Sequence, residues 1–322
     1  MGCPEECLEE ARRCPHKTRL PDERSNGRRV KPGRRTGSKV EIAVRAPNHL
    51  GDGVMAIPAI RALTATGNVT VYAPSWGADL YRDLQVVVKP RGTMHGAVAV
   101  LLAPSMRAAW QARRCRRRVG TPTDYRSLLL TDRVPVLPGT ADTYRAVAAV
   151  LGAKAEGPPV WTSRPEDRGP EVPDGHVGLN PISAAGAVRE WRGYQRLAGL
   201  VTGPVVVYGG PGEARRVGER VQGSPLQVGL SLPAFGKALE RCRVFVSNDS
   251  GAAHFAAACG VATVVVFGST EASRTGPEGC QPVQGPELAC RPCYGRHCPH
   301  NLECLDVSVE SVLAAVEAAA DV

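Results

Sequence analysis

The chain has 322 residues, 43% of them hydrophobic and 22% charged, with a net charge of +9. That length holds one large domain or two ordinary ones, and the apolar share excludes both wholesale disorder and a disulfide-stapled miniprotein. The longest apolar run, Phe255 to Phe267, is too short for a bilayer span and is interrupted by Gly260 and Thr263.

Residues 1–38 carry Pro, Gly and a net positive charge without an apolar period, which predicts a flexible basic extension with one short helix near Glu5 to Arg13. Its opening, MGCPEECLEEARRCPHK, has acidic residues and no apolar core, so the reading is a cytoplasmic protein whose cysteines are thiols or metal ligands. From Val40 onward apolar runs of strand length alternate with helical patterns. The predicted order is a strand at 40–45, a helix from Gly53 to Thr66, strands at 69–73 and 97–103, and a helix from Asp142 to Leu151. Such alternation predicts a parallel sheet covered by helices, here an N-terminal domain over 39–155.

Residues 156–175 concentrate Pro, Gly and charge and read as a linker. A second alternation follows over 176–322. It has strands at 177–181, 204–210, 244–251 and 262–270, with helices near Trp191 to Thr202, from Gly212, near Pro233 to Arg241 and up to Cys259. The fold class is therefore α/β with two Rossmann-like domains, and ligands of such sheets bind beyond the carboxyl ends of the strands, where two domains can close a cleft.

Charge narrows the partners. The stretch from Arg107 to Arg118 carries six arginines and no acid. Such a patch suits nucleic acid, anionic lipid or phosphorylated glycans, while a general preference for Arg makes a solvated basic face equally compatible. Aromatics are only 5% and none interleave with the N-terminal basic run, so nucleic acid is not the expected partner, although steeply salt-dependent binding would reveal it.

Several motifs end predicted strands. In APNHLGDGVMAIP, Asp52 is either a helix N-cap or a carboxylate set at a strand's carboxyl end as a general base. In VFVSNDSGAAHFAAA, Asp249, Ser250 and Gly251 open a small-residue helix whose N-terminus favours a phosphate or sugar hydroxyl, and Asp249 also reads as a cap. His254 lies four residues beyond Ser250, but the Gly-x-Ser-x-Gly elbow of a hydrolase is absent. FGST adds Gly268, Ser269 and Thr270 to the same edge. YGGPGE, with Glu213, lacks both the dinucleotide fingerprint and the Walker lysine. Arg189 in AVREW is suited to a diphosphate. Near the end, Cys290, Cys293, Cys298 and Cys304 follow one another with two, four and five intervening residues. They suit a structural tetrahedral zinc, and four free thiols packing a loop fit the spacing as well. Cys3, Cys7, Cys14 and His16 form a second, irregular cluster.

Taken together, VRAPNHLGDGVMAIPAIRAL, LNPISAAGAVREW, YGGPGE, VSNDSGAAHFAAACG, FGST and the cysteine tail resemble glycosyltransferase family 9, the ADP-heptose:lipopolysaccharide heptosyltransferases, over about residues 40–316. The tail is more similar to the heptosyltransferase II branch. The resemblance implies a GT-B fold with the acceptor mainly in the N-terminal half and the donor in the C-terminal half. It implies inverting transfer of heptose from a nucleotide diphosphate sugar, with no cofactor for catalysis, to an anionic inner-core glycolipid, and the arginines from Arg107 to Arg118 read as a patch for that acceptor or for the inner membrane surface. Transfer to a small molecule or another glycan is the alternative. Asp52 would be the base and Arg189, in place of a lysine, would neutralise the leaving diphosphate. Asp249 would hold the sugar and Glu213 face the ribose, with Ser250, Gly251, His254, Gly268, Ser269 and Thr270 around them. Arg192 stands where the family has Pro.

Overall fold

The computed structural model describes residues 39–320; the basic extension, its predicted helix and the cluster of Cys3, Cys7, Cys14 and His16 lie outside the described residues. The first half runs β1 (Val40–Arg45), α1 (Leu50–Met55), α2 (Ile57–Leu63), β2 (Gly67–Ala73), α3 (Gly77–Leu80), β3 (Val87–Pro90), β4 (Val98–Leu101), α4 (Met106–Gln111), β5 (Arg117–Gly120), β6 (Asp132–Arg133) and α5 (Thr140–Ala149). The second runs β7 (His176–Asn180), α6 (Tyr194–Leu200), β8 (Val205–Gly209), α7 (Ala214–Arg220), β9 (Leu226–Val228), α8 (Leu232–Leu239), β10 (Cys242–Asn248), α9 (Gly251–Ala258), β11 (Ala262–Phe267), α10 (Ala272–Thr275), β12 (Gln281–Gln284) and α11 (Val309–Ala320).

Each half builds a six-stranded sheet, in the orders β3-β2-β1-β4-β5-β6 and β12-β11-β10-β7-β8-β9. All pairings are parallel. Both are the doubly wound Rossmann order, whose direction of winding reverses between β1 and β4 and between β7 and β10. The central strands are apolar runs because helices cover both faces; β4 and β7 are buried along their whole length. The helix predicted from Gly53 to Thr66 instead starts at Leu50 and breaks at Ala56, since Pro58 has no N–H to continue the ladder and opens α2 instead.

One apolar core runs through both halves, joining Val44, Ile60 and Val71 to Phe245 and Phe255. The halves meet where α1 packs on α9. Two glycines permit that approach: a Cβ on Gly251 would lie 3.0 Å from the Gly51 nitrogen, and one on Gly51 would lie 2.9 Å from the His254 ring. The chain between α5 and β7 is fastened to both halves. The Trp161 backbone N–H donates to the Ala258 carbonyl (2.9 Å), and its indole N–H donates to the Asp79 carbonyl (3.1 Å). The Arg82 guanidinium lies 4.5 Å from the Trp161 ring centroid and donates to both Asp167 carboxylate oxygens at 2.9 and 2.6 Å. That pair holds the Asp167 carboxyl down at about 2, with the side-chain hydrogen bond from Arg82 as the main cause.

Candidate functional site

Strand β1 delivers the chain into α1, and Asp52 is the third residue of that helix, while His49 occupies the cap position. Asp52 is therefore no N-cap. It is half-buried, and its side chain makes no hydrogen bond among the described residues. Burial raises its pKa and the charge of Asp249 raises it further, against the lowering effects of His49 and Arg189. A carboxylate so held accepts a proton more readily than one in water.

The partners come from the second half. Asp249 follows β10 and is 4% exposed, and Ser250 rather than Asp249 is the N-cap of α9. Arg189 Nη1 donates to Asp249 Oδ2 at 3.2 Å, and Thr275 Oγ1 donates to the same oxygen at 3.0 Å. Two residues expected to contact different parts of a donor are thus bonded to each other. His254 is buried on α9 near Asp249, and burial lowers its pKa against the raising effect of the Asp249 charge. Ser250 Oγ shares a hydrogen bond with Ser247 Oγ (2.9 Å).

Four polar atoms are buried here without a protein partner: Asn180 Oδ1 at the end of β7, Asn248 Nδ2 at the end of β10, Thr270 Oγ1 just after β11, and Arg189 Nε. The first three stand at the carboxyl ends of strands around the β7–β10 switch point and Arg189 lies in the turn that follows β7, where a polar ligand would satisfy them. A cavity of about 500 Å³ opens at Asn180, lined also by Gly210, Ser231 and Phe235 from the second half and by Leu50 and Trp76 from the first. Glu213 holds its edge, with Oε2 accepting the Gly210 N–H at 2.7 Å. A second cavity of about 570 Å³, on the side of α9 that carries His254, is lined by none of Asp52, Arg189 and Asp249.

FGST divides its roles. A Cβ on Gly268 would meet Leu305 at 2.5 Å, so this glycine packs the tail onto the sheet. The Ser269 hydroxyl donates to the Val188 carbonyl (3.3 Å), and the Ser269 carbonyl accepts N–H groups of Cys293 and Tyr294 at 3.1 and 3.0 Å. The tail cysteines Cys290, Cys293, Cys298 and Cys304 line one cavity of about 220 Å³. Among the described residues, however, no three His, Cys, Asp or Glu side chains stand close enough to hold a metal ion. Cys304 is buried against the sheet while Cys290 and Cys293 are exposed on the loop, so the zinc expectation does not fit this arrangement.

Sequence reasoning missed Thr275, Asn180 and the neighbour of Arg189, Glu190. Glu190 is buried and accepts hydrogen bonds from Arg216 (2.6 Å), Arg220 (2.9 Å) and the Ser183 N–H (3.1 Å). The available signal was an Asn closing each of two strands, in LNP and VSND. In the first half, Arg45 at the end of β1 is 4% exposed and bonded to Asn48 (2.8 Å) and Gln111 (3.3 Å). Burial, with Arg91 and Arg107 nearby, lowers its pKa to about 10.

Residues 186–302 match the family model for Glycosyltransferase family 9 (heptosyltransferase). Lipooligosaccharide heptosyltransferase 2 of Campylobacter jejuni subsp. jejuni serotype O:2 is 38% identical over 77 residues, 22% of this chain and 24% of that protein. The match thus spans about a quarter of that relative's length. The fold is that of ADP-heptose LPS heptosyltransferase II from E. coli, with a TM-score of 0.70 and 19% identity over 87% of this chain and 98% of the other. A family 9 glycosyl transferase from Veillonella parvula gives a TM-score of 0.70 and 18% identity over 88% and 97%. The two six-stranded halves have the GT-B fold of these structures, and the family model matched by residues 186–302 is that of the family the sequence motifs resemble. No helix among the described residues is long and apolar enough to cross a membrane.

Proposed function

We propose that the chain is an inverting glycosyltransferase that moves a heptose from ADP-heptose to an anionic inner-core glycolipid, from the cytoplasmic side of the membrane. The observation that carries this reading is the contact of α1 with α9, which brings Asp52 within electrostatic reach of Asp249 and Arg189, both far away in the chain. Inverting transfer needs that arrangement: a base on one face of the anomeric carbon and positive charge for the leaving group on the other.

In the proposed step, Asp52 takes the proton of the acceptor hydroxyl as its oxygen bonds to the anomeric carbon. The bond from that carbon to the diphosphate breaks, and its electron pair leaves on the ADP oxygen. Arg189 turns from Asp249 to the diphosphate, Asp249 is freed for sugar hydroxyls with His254 beside it, and the unpartnered Asn180, Asn248 and Thr270 atoms bond the donor. The nucleoside enters the 500 Å³ cavity with its ribose toward Glu213. Ser250, Gly251 and Ser269 support the donor from the start of α9 and the end of β11, and Gly268 acts through packing. Purified protein given ADP-heptose and a lipopolysaccharide truncated before its heptoses should form the elongated acceptor and ADP. Release of ADP with water or soluble glycans alone, and no elongated acceptor, would refute the glycolipid assignment.

A further inference from the structure

The first half presents four large apolar side chains to water on the rim that bears Asp52. Met106 and Trp110, one turn apart on α4, are 38% and 58% exposed, and Tyr125 and Leu128, in and beside the 3-10 turn Arg126–Leu129, are 93% and 90% exposed. The two elements are tied together: Asp124 Oδ2 accepts the Met106 N–H at 2.8 Å, and Arg126 Nη1 donates to the Ala103 carbonyl just before α4. Arg126 is fully buried and also donates to the Thr121 carbonyl and hydroxyl at 2.7 and 2.8 Å, so this loop is anchored from within.

The backbone at the tip is strained to hold that display, with Asp124 and Tyr125 at φ of 53° and 55°, left-handed values that a bulky residue such as Tyr seldom adopts. Asp124 is the acid at the tip, with its carboxylate on the Met106 N–H, and the neighbouring stretch from Arg107 to Arg118 is basic throughout. Of the six arginines from Arg107 to Arg118, Arg117 pairs with Asp132 and Arg118 donates to backbone carbonyls. Arg107, Arg113, Arg114 and Arg116 have no carboxylate partner among the described residues, and the Arg113 guanidinium lies 4.8 Å from the Trp110 ring centroid. Exposed aromatic and aliphatic tips beside a run of arginines, one of them stacked on Trp110, match a bilayer interface, where rings sit at headgroup level and guanidinium groups meet lipid phosphates.

We propose that Met106, Trp110, Tyr125 and Leu128 form a wedge that enters the headgroup region of an anionic bilayer, with Arg107, Arg113, Arg114 and Arg116 on its phosphates. The surface follows β4 and β5, so it lies on the same rim as Asp52 and roughly 10 Å along the sheet from β1. A glycolipid anchored in that bilayer would meet the cleft with its sugars foremost. This orientation rests on the proposed acceptor, whereas the docking itself is read without donor or acceptor.

Flotation of the full chain with vesicles of phosphatidylglycerol and phosphatidylethanolamine tests it, against vesicles of phosphatidylcholine alone. The chain should float with the first and not the second, and brominated acyl chains should quench fluorescence that Trp110→Phe removes while that variant still floats. Combined Trp110→Ser, Tyr125→Asn and Leu128→Ser should lower partitioning roughly tenfold or more with thermal unfolding unchanged. Should that variant unfold, combined Arg113→Gln, Arg114→Gln and Arg116→Gln, all at exposed positions, should give a comparable loss. Wild-type protein that stays below the gradient, a folded wedge variant that floats like wild type, arginine variants that lose nothing, or quenching that survives Trp110→Phe would each overturn the proposal. So would a dimer of wild type that the wedge variant converts to monomer. Failure of heptose transfer with vesicle binding intact would count against the acceptor assignment alone.

Discussion

Asp52→Asn preserves the size and shape of the side chain but removes its capacity to take a proton. Two effects on folding oppose each other. A negative charge in the first turn of α1 favours the helix by roughly 0.3–1 kcal/mol, whereas the burial that raises the Asp52 pKa disfavours the ionised form. The variant should therefore unfold within about 1 kcal/mol of wild type. Transfer should fall about 10² to 10⁴-fold, which is roughly 2.7–5.5 kcal/mol of barrier. The folded pKa lies above the unfolded one, so the stability associated with the protonated carboxyl is full below the unfolded value and is lost as pH rises through the folded value. The melting temperature of the variant, relative to wild type, should thus climb with pH across that window and then level. In wild type the acidic limb of kcat/KM should lie above the ordinary Asp value of about 3.9, and the residual rate of the variant should lack it. Calorimetric ADP affinity, melting curves and heptose transfer at saturating substrates supply the data. Transfer within about threefold of wild type, with ADP affinity intact, would refute the catalytic role.

The bond between Arg189 and Asp249 implies coupled effects. Arg189→Met should weaken ADP binding, whereas Asp249→Asn, which releases Arg189 and removes a contact only to the sugar, should leave it unchanged or tighter, with a coupling of about 0.5–3 kcal/mol in a double-mutant cycle; additive effects would show that the pair does not act as a unit. Gly251→Ala adds a methyl 3.0 Å from the Gly51 nitrogen and from Leu50 Cβ, and should cost about 1–3 kcal/mol in calorimetric unfolding together with transfer; an unchanged melting temperature would mean that the α1–α9 contact yields. Arg126→Lys keeps the charge but not the fork that bonds Ala103 and Thr121, so it should lower stability by about 1–3 kcal/mol and open the loop around Tyr125 to limited proteolysis.

The alternation of apolar runs was enough to read both sheets, since buried parallel strands such as β4 and β10 are Val-rich in any context. Edge strands were not legible: β5 begins with two arginines and β6 is the dipeptide Asp132–Arg133, so pairing with a neighbour defines them and propensity does not. At the site, Asp52 and Asp249 stood out because each closes a strand-to-helix turn, but the cap reading left open for both was decided by phase. A shift of a few residues in the start of α1 puts Asp52 in the first turn, and Ser250 takes the cap of α9. Their mutual proximity, the Arg189–Asp249 bond and the hydroxyl of Thr275 are long-range facts that no local pattern encodes. The cysteine spacing does bring Cys290, Cys293, Cys298 and Cys304 around one cavity, but sequence distance alone does not aim three ligands at one point, and no such group stands among the described residues.

Trp161 bonds one half through its backbone and the other through its indole, close to the packed core of Phe255. Together with the glycine contact of α1 and α9, it defines two fixed points, and two fixed points define an axis. Any rocking of the halves is then small in displacement near that line and grows with leverage toward the outer rims. The base, the donor pair and the nucleoside cavity, which Leu50, Asp79 and Ala252 line, lie beside the axis, while the apolar wedge lies away from it. Admission of a bulky glycan at the rim is therefore mechanically separated from the alignment of the reacting groups, which can stay in register while the entrance widens.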